Sequence, residues 1–425
     1  MKQRVYICNG DCAHCKFSPG SVYCNRPEES RFAYRLDRIL TNRWLGFPIL
    51  LAVLFLVFEA SFALGAYPQG WIDAGVQAFA AWVGRILPPG WLSDLLTGGI
   101  IQGVGAVLSF LPNIFIIFFF LSLLEDSGYM ARAAFLMDKL MHAIGLHGNS
   151  FIPMLVGFGC NVPAIMAARD IENTKDRVLT MLMIPFMSCS ARLPVYLLLV
   201  AAFFPQHEAL VMIGLYATGI LLSILFAFIM KHTRWFREEM SDDVFELPSF
   251  CLPRSGELWR HIWLRCQDYL QKITTVIVAA SVAIWALEYF PRHDGVPAAQ
   301  EESYLAEIGH WMEPAMAPLG FDWKMNVCIL TGLPAKEAIV STMGILYNDG
   351  TEEGLASTLR QPGGFNPAVA LAFMLFVLLY FPCFATIACL RREIGWGWAL
   401  FTVVHSLLLA WLVAFCAFHL GSLLL

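Results

Sequence analysis

Gly157-Phe158-Gly159-Cys160-Asn161-Val162-Pro163-Ala164 lies inside an otherwise apolar run, Phe151 to Ala168. Glycine and proline loosen the backbone ladder, and lipid offers no water to satisfy the freed groups. Broken backbone survives at membrane depth only where protein buries it or where it lines a cavity. Gly157, Gly159 and Pro163 therefore mark a structural break, and the thiol of Cys160 and the carboxamide of Asn161 sit at it.

The rest of the chain supplies the membrane. It is 58% hydrophobic and 14% charged, about half the charge of an ordinary soluble domain. Several apolar runs reach the roughly 18 residues that cross a bilayer. The expected fold is an all-α polytopic membrane protein embedded in a lipid bilayer. The first long run starts near Phe47 and is too long for the core of a cleaved leader. In a chain of this class the net charge of −5 says nothing about nucleic acid, and no nucleic-acid partner is expected.

Lysines and arginines set the expected topology. Residues 1–46 are basic and read as a cytoplasmic, Cys-rich tail. Residues 47–148 hold a first span near 47–66, an external stretch 67–97, a second span near 98–124 punctuated by Gly103, Gly105 and Pro112, and an amphipathic helix. In that helix Met130, Ala133, Ala134, Met137 and Met141 recur at helical spacing. Residues 149–237 form a first repeat. Both flanks of 151–168 look cytoplasmic, so this segment enters and turns back. A span broken at Pro185 and Pro194 follows, and 209–230 crosses again. Residues 238–270 are a cytoplasmic connection. Residues 271–425 hold a span near 272–290, a second re-entrant segment 325–347 flanked by external loops, and spans near 367–388 and 396–420. The second segment is broken at Gly332 and Pro334, and the span after it at Pro382. A broken hairpin plus a broken span, from inside and then from outside, is the inverted-repeat pattern of secondary transporters, with the site at the midplane.

Cys160, Cys189 and Cys383 each lie beside a break or in its immediate neighbourhood. A membrane cysteine is ordinarily a small buried hydrophobe, and Cys328 and Cys416, in plain apolar helix, are read that way. At the breaks, soft thiolates with harder oxygens from Asn161, Ser188, Ser190 and unwound carbonyls make a mixed ligand set for a transition metal in transit. Lys336 and Glu337 lie in the second hairpin, Arg192 in the first broken span and Glu59 in the first span. Ionisable groups at membrane depth default to function, Glu337 as hard ligand or proton carrier and Lys336 as its neutralising partner. Arg192 is expected to hold helices together through a carboxylate or carbonyls. In the tail, Cys8, Cys12, Cys15 and Cys24 surround His14 and suit Zn²⁺ or an iron–sulfur cluster better than disulfides. No G-x-x-x-x-G-K-[ST] occurs, and no hydrolytic triad appears, so a transporter without enzymatic chemistry of its own is expected.

Longer motifs carry a resemblance. Leu108-Ser109-Phe110-Leu111-Pro112, Leu123-Leu124-Glu125-Asp126-Ser127-Gly128-Tyr129-Met130-Ala131-Arg132, the 157–167 stretch, Pro185-Phe186-Met187-Ser188-Cys189-Ser190-Ala191-Arg192-Leu193-Pro194, Ala317-Pro318-Leu319-Gly320-Phe321-Asp322-Trp323, Ala335-Lys336-Glu337 and Pro382-Cys383 resemble the membrane domain of FeoB ferrous iron transporters, over about residues 40–420. The resemblance implies Fe²⁺ uptake across the bacterial cytoplasmic (inner) membrane through two gate repeats, with Cys160, Cys189 and Cys383 at the family's membrane cysteines. Family members usually begin with a GTP-binding domain, and here a short Cys-rich tail stands in that place. A separate cytoplasmic GTPase, small Feo accessory proteins and a homo-oligomer are the partners this implies. Competing readings are an iron- or redox-sensing membrane protein, and a transporter of another divalent metal or of a small solute such as a nucleoside.

Overall fold

The computed structural model describes residues 6–7, 38–42, 44–88, 90–233, 235–236, 246–247, 255–293, 296–297, 302–347, 359 and 365–424. The cysteines of the tail, at positions 8, 12, 15 and 24, lie outside the described residues. Helices dominate, with two-residue bridges pairing Tyr6–Ile7 with Glu246–Leu247 and Arg292–His293 with Val296–Pro297. Among the described residues, six helical runs are long and apolar enough to cross a membrane, and Thr274–Tyr289 is a shorter apolar helix. The chain is an all-α polytopic membrane protein.

The first two spans run past their expected ends. Helix α1 (Gly46–Ile86) continues without interruption through the stretch read as external. At 1.5 Å per residue its 41 residues reach about 60 Å, twice the hydrocarbon thickness. Helix α2 (Trp91–Asp126) likewise runs through Gly103, Gly105 and Pro112, with a π-helical segment at Leu95–Ile101. Its glycines serve packing. A Cβ at Gly105 would lie 2.4 Å from Val76 of α1, and one at Gly103 would lie 2.9 Å from Ser281. Helix α3 (Tyr129–Ala143) is amphipathic as its spacing requires. Ala133, Ala134, Met137 and Met141 are buried, and Asp138 accepts from Gly148 N–H at 3.0 Å.

Both repeats then appear in the same element order. In the first, α4 (Phe151–Gly157) bends into α5 (Asn161–Ala167), and the two arms pack together. Helix α6 (Thr174–Met183) is separated from α7 (Leu193–Phe203) by a short 3₁₀ turn, an extended link and a second 3₁₀ turn. Helix α8 (Glu208–Lys231) closes this half. Helix α9 (Ser255–Tyr289) is one continuous rod from the connection into the membrane and packs along α2. After α10 (Tyr304–Met316), the second repeat presents α11 (Trp323–Thr331) folded against α12 (Ala338–Leu346). Helix α13 (Pro367–Leu379) is then split from α14 (Phe384–Ile394) by an extended link. Helix α15 (Trp396–Leu424) packs along α13. Helix α13 is the centre of the core. Ala370, Ala372, Phe373, Met374, Phe376, Val377 and Leu378 are all fully buried, against residues of both halves.

Candidate functional site

Four chain breaks carry the singled-out residues, and each half ties its two breaks together through backbone carbonyls. In the first half, Cys160 is extended (φ −152°, ψ 131°) and immediately precedes α5. Its N–H reaches Val156 O at 3.1 Å, closing the bend. Pro163 falls in the first turn of α5, where its missing N–H breaks no helical bond. Pro185 occupies the 3₁₀ turn Ile184–Phe186, and Met187, Ser188 and Cys189 follow as the link. Ser190 then donates to Gly159 O from both its N–H (3.3 Å) and its Oγ (3.0 Å). Arg192, 1% exposed, donates from Nη1 to Met187 O at 3.1 Å, across the link it follows. Ser188 is buried and bonds Tyr196 Oη at 3.3 Å.

The second half repeats the device with different side chains. Helix α11 ends at Thr331, and residues 332–337 turn into α12, with Glu337 immediately before its first residue. Tyr380, Phe381, Pro382 and Cys383 form the link before α14. Phe384 N–H donates to Leu333 O at 3.1 Å, tying link to hairpin as Ser190 does in the first half. Lys336, 3% exposed, donates to Phe381 O at 2.8 Å and sits 3.3 Å from the Tyr380 ring centre. Burial of an ammonium is tolerable here because a carbonyl freed by the break and an aromatic face both receive it. Lys336 was expected to serve Glu337, and Glu337 is within its charge range, but its hydrogen bond goes to Phe381. Arg192 takes a carbonyl, one of its two expected partners.

The breaks converge. Cys160 lies within charge-interaction range of Cys383, Cys189 and Glu337, and Cys189 within range of Cys383, Glu337, Arg192 and Lys336. All three thiols are half-buried and free. Cys160 and Cys383 pack against one apolar cluster that includes Val162, Ala385 and Cys389. Cys383 Sγ is 3.1 Å from Thr386 Oγ1. Asn161, 5% exposed, keeps its Oδ1 buried and without a hydrogen-bond partner. Among the described residues, no group of three or more His, Cys, Asp or Glu side chains stands at metal-holding distances. Among the described residues, the thiols and Glu337 are neighbours rather than a closed coordination shell. Cys328 is fully buried and Cys416 exposed on α15, as plain helix residues. Glu59 is exposed on α1.

Sequence reading missed Tyr380, Tyr196 and Thr386. Each stands within a few residues of a break-forming Pro or Cys, and an aromatic or hydroxyl beside such a break is the signal that finds them.

Known proteins resemble this chain in sequence. The family description "Gate: Nucleoside recognition" matches residues 107–203 and 270–397, and "Ferrous iron transport protein B C terminus" matches 212–265. A Porphyromonas gingivalis protein named Fe(2+) transport protein A/Fe(2+) transporter FeoB fusion protein is 46% identical over 92% of this chain and 51% of its own length. The Fe(2+) transporter FeoB of Staphylococcus aureus is 42% identical over 93% of this chain and 60% of its own. That of Campylobacter jejuni is 38% identical over 95% of this chain and 68% of its own. This chain thus spans about half to two thirds of the length of these relatives. No solved structure matches. With both gate segments and the intervening C-terminal segment matched in order, the chain belongs to the FeoB ferrous iron transporter family.

Proposed function

We propose that this chain is a ferrous iron permease in which Cys160, Cys189, Cys383 and Glu337 hand Fe²⁺ across the membrane between the two broken halves. The observation that carries the reading is the convergence of three thiols and a carboxylate, drawn from both repeats, on breaks whose carbonyls are held by Ser190, Arg192, Lys336 and Phe384. The unpartnered Oδ1 of Asn161 adds a neutral oxygen beside Cys160. Ser188 and Ser190 contribute further hydroxyl oxygens at the same break. Three thiols with oxygens bind a borderline divalent ion firmly enough to admit it, and the incomplete shell lets it leave.

The basic N-terminal stretch supports a cytoplasmic N-terminus by the positive-inside rule, in a bacterial inner membrane. The relative from P. gingivalis joins Fe(2+) transport protein A to FeoB in one chain, which supports an A-type accessory protein as a partner here. A cytoplasmic GTPase, a homo-oligomer and metal ligation by the cysteines at 8, 12, 15 and 24 belong to the same reading.

The test is uptake of ⁵⁵Fe²⁺ under reducing conditions into proteoliposomes. The intact chain should accumulate iron, and Cys160→Ser, Cys189→Ser and Cys383→Ser together should abolish it while leaving the helical content and elution volume unchanged. Uptake that survives the triple replacement would sink the assignment. Direct uptake of labelled Zn²⁺, Mn²⁺ and nucleosides separates iron transport from the other-metal and small-solute readings; competition does not, because thiol sites favour Zn²⁺ over Fe²⁺ on affinity alone and Zn²⁺ would block an iron path without crossing it.

A further inference from the structure

Helices α5 and α14 begin at the two thiols of the opposite halves, and they also end together. Cys160 and Cys383 immediately precede their first residues. The two helices pack side by side. At their far ends, Arg169, in the 3₁₀ turn that extends α5, pairs through Nη2 with Glu393 Oε1 near the end of α14. The contact joins residues 224 positions apart, one in each repeat. Side chains are 35% and 13% exposed, so the pair is partly withdrawn from water at the carboxylate. Helix α14 contains neither Gly nor Pro and reaches about 16 Å, so it behaves as a short rod. Its end is further pinned by Arg391, whose guanidinium lies 4.3 Å from the Trp396 ring centre.

The pair sits within a wider set of charges. Asp170 is within charge range of Arg169, Arg265 and Glu125, and Arg265 Nη2 holds Glu125 Oε2 at 3.0 Å. These groups join α5 to α2 and α9 at the end where α5 and α14 meet.

We propose that Arg169 and Glu393 are positioning residues for the transport thiols: their ion pair clamps the far ends of α5 and α14 and thereby sets the separation of Cys160 and Cys383. The inference rests on the permease reading for its purpose, but the geometry it asserts stands apart from transport. Two rods touching along their length and fastened at one end have little freedom at the other. Released there, they splay, and the two thiols no longer face one ion together.

The experiment uses the full chain with Cys160 and Cys383 as its only cysteines, in proteoliposomes, treated with a short bis-methanethiosulfonate that spans two nearby thiols. The reagent joins one sulfur to each of its ends, releasing two sulfinates, and the cross-linked species is counted by mass after proteolysis. The parent should cross-link readily. Arg169→Glu and Glu393→Arg should each slow cross-linking by about fivefold, the factor that one lost interaction of ordinary size produces. The gentler Glu393→Gln should slow it less and guards against a reversal that fails to fold. The double exchange Arg169→Glu with Glu393→Arg should restore the parental rate. Parental rates in the single variants, or a folded double exchange that is not restored, would overturn the proposal. Iron uptake is measured in parallel in the otherwise native chain. Cross-linking as described beside a native chain that moves no iron would defeat the permease reading and leave the clamp standing. A native chain that moves iron beside cross-linking indifferent to the charges would do the reverse.

Discussion

Ser190 gives Gly159 two hydrogen bonds to one carbonyl, from its N–H at 3.3 Å and its hydroxyl at 3.0 Å. The second break of the first half is thereby hung on the first, and Cys189 is brought toward Cys160. Only the hydroxyl bond depends on the side chain. Ser190→Ala should therefore lower stability by about 1 kcal/mol, the net value of one such bond. It should impair iron uptake disproportionately, because the remaining N–H bond leaves the link freer to drift. Thermal unfolding followed by tryptophan fluorescence reads the first quantity, and initial uptake rates read the second. Equal losses of stability and transport would reduce Ser190 to a structural tether.

The hairpin bends are tight enough that glycine is required at two points. A Cβ at Gly332 would lie 2.5 Å from Ile339 Cγ1 and 2.7 Å from Tyr380 Oη, and one at Gly159 would lie 2.6 Å from Phe58 Cε1. Gly332→Ala and Gly159→Ala should each cost about 1–3 kcal/mol through overpacking. Gly214→Ala is the control, since nothing lies within 4 Å of its added Cβ and the position is helical. Alanine there should be neutral or slightly stabilising. Unfolding midpoints of the three variants decide it, and a Gly332→Ala protein as stable as Gly214→Ala would contradict the packing.

Lys336 and Arg192 each cover a carbonyl that a break has freed, Phe381 O and Met187 O. Removing either donor leaves a buried acceptor bare, so Lys336→Met and Arg192→Met should each cost about 1–3 kcal/mol. The two cations also lie within charge range of one another. Each single loss therefore relieves the same repulsion, which the double variant can relieve only once, so the double variant should be more damaged than the sum of the singles. A double-mutant cycle on unfolding free energies measures that difference. Strict additivity would mean that the two breaks do not sense each other.

The positions of the breaks were legible because Gly, Pro and Cys interrupt apolar runs where lipid forbids idle irregularity. Convergence was legible only as an expectation, from the repeated order of hairpin and broken span. Which carbonyl each tether takes was not readable. Ser190 to Gly159 and Phe384 to Leu333 are long-range backbone pairings, fixed by how link and hairpin dock rather than by local residue preference. Nor did charge counting find the end of α1. Lysine and arginine report on which side a segment lies, not where its helix stops, and residues 67–86 continue the helix through Pro68 and Gly70. Lys336 is expected to neutralise Glu337, and the two lie within charge range of one another. Adjacent helical or turn residues point apart, and Lys336 turned instead to the carbonyl 45 positions away.

At the base of the first hairpin, Asp176 gathers a histidine and a lysine. Its side chain is 3% exposed, Oδ2 meets His147 Nδ1, and Oδ1 accepts from Lys231 Nζ at 3.1 Å. His147 precedes α4, Asp176 lies in the first turn of α6, and Lys231 ends α8, so one carboxylate fastens three segments. The stem of Lys231 also packs over Gly145, whose φ of +82° turns the chain out of α3. Lys231→Met keeps much of that packing but leaves a buried carboxylate short of a counter-charge. It should destabilise the fold by about 3 kcal/mol, the scale of a broken buried pair. Asp176→Asn in the same chain should recover part of the loss, since a neutral amide no longer needs the ammonium. Because the pair is buried, the Lys231→Met effect should persist in high salt. The loss from Arg265→Gln, whose pairing with Glu125 is about a third exposed, should fade there. Unfolding measured at low and high ionic strength separates the two, and a Lys231→Met defect that disappears with salt would show that Asp176 is solvated after all.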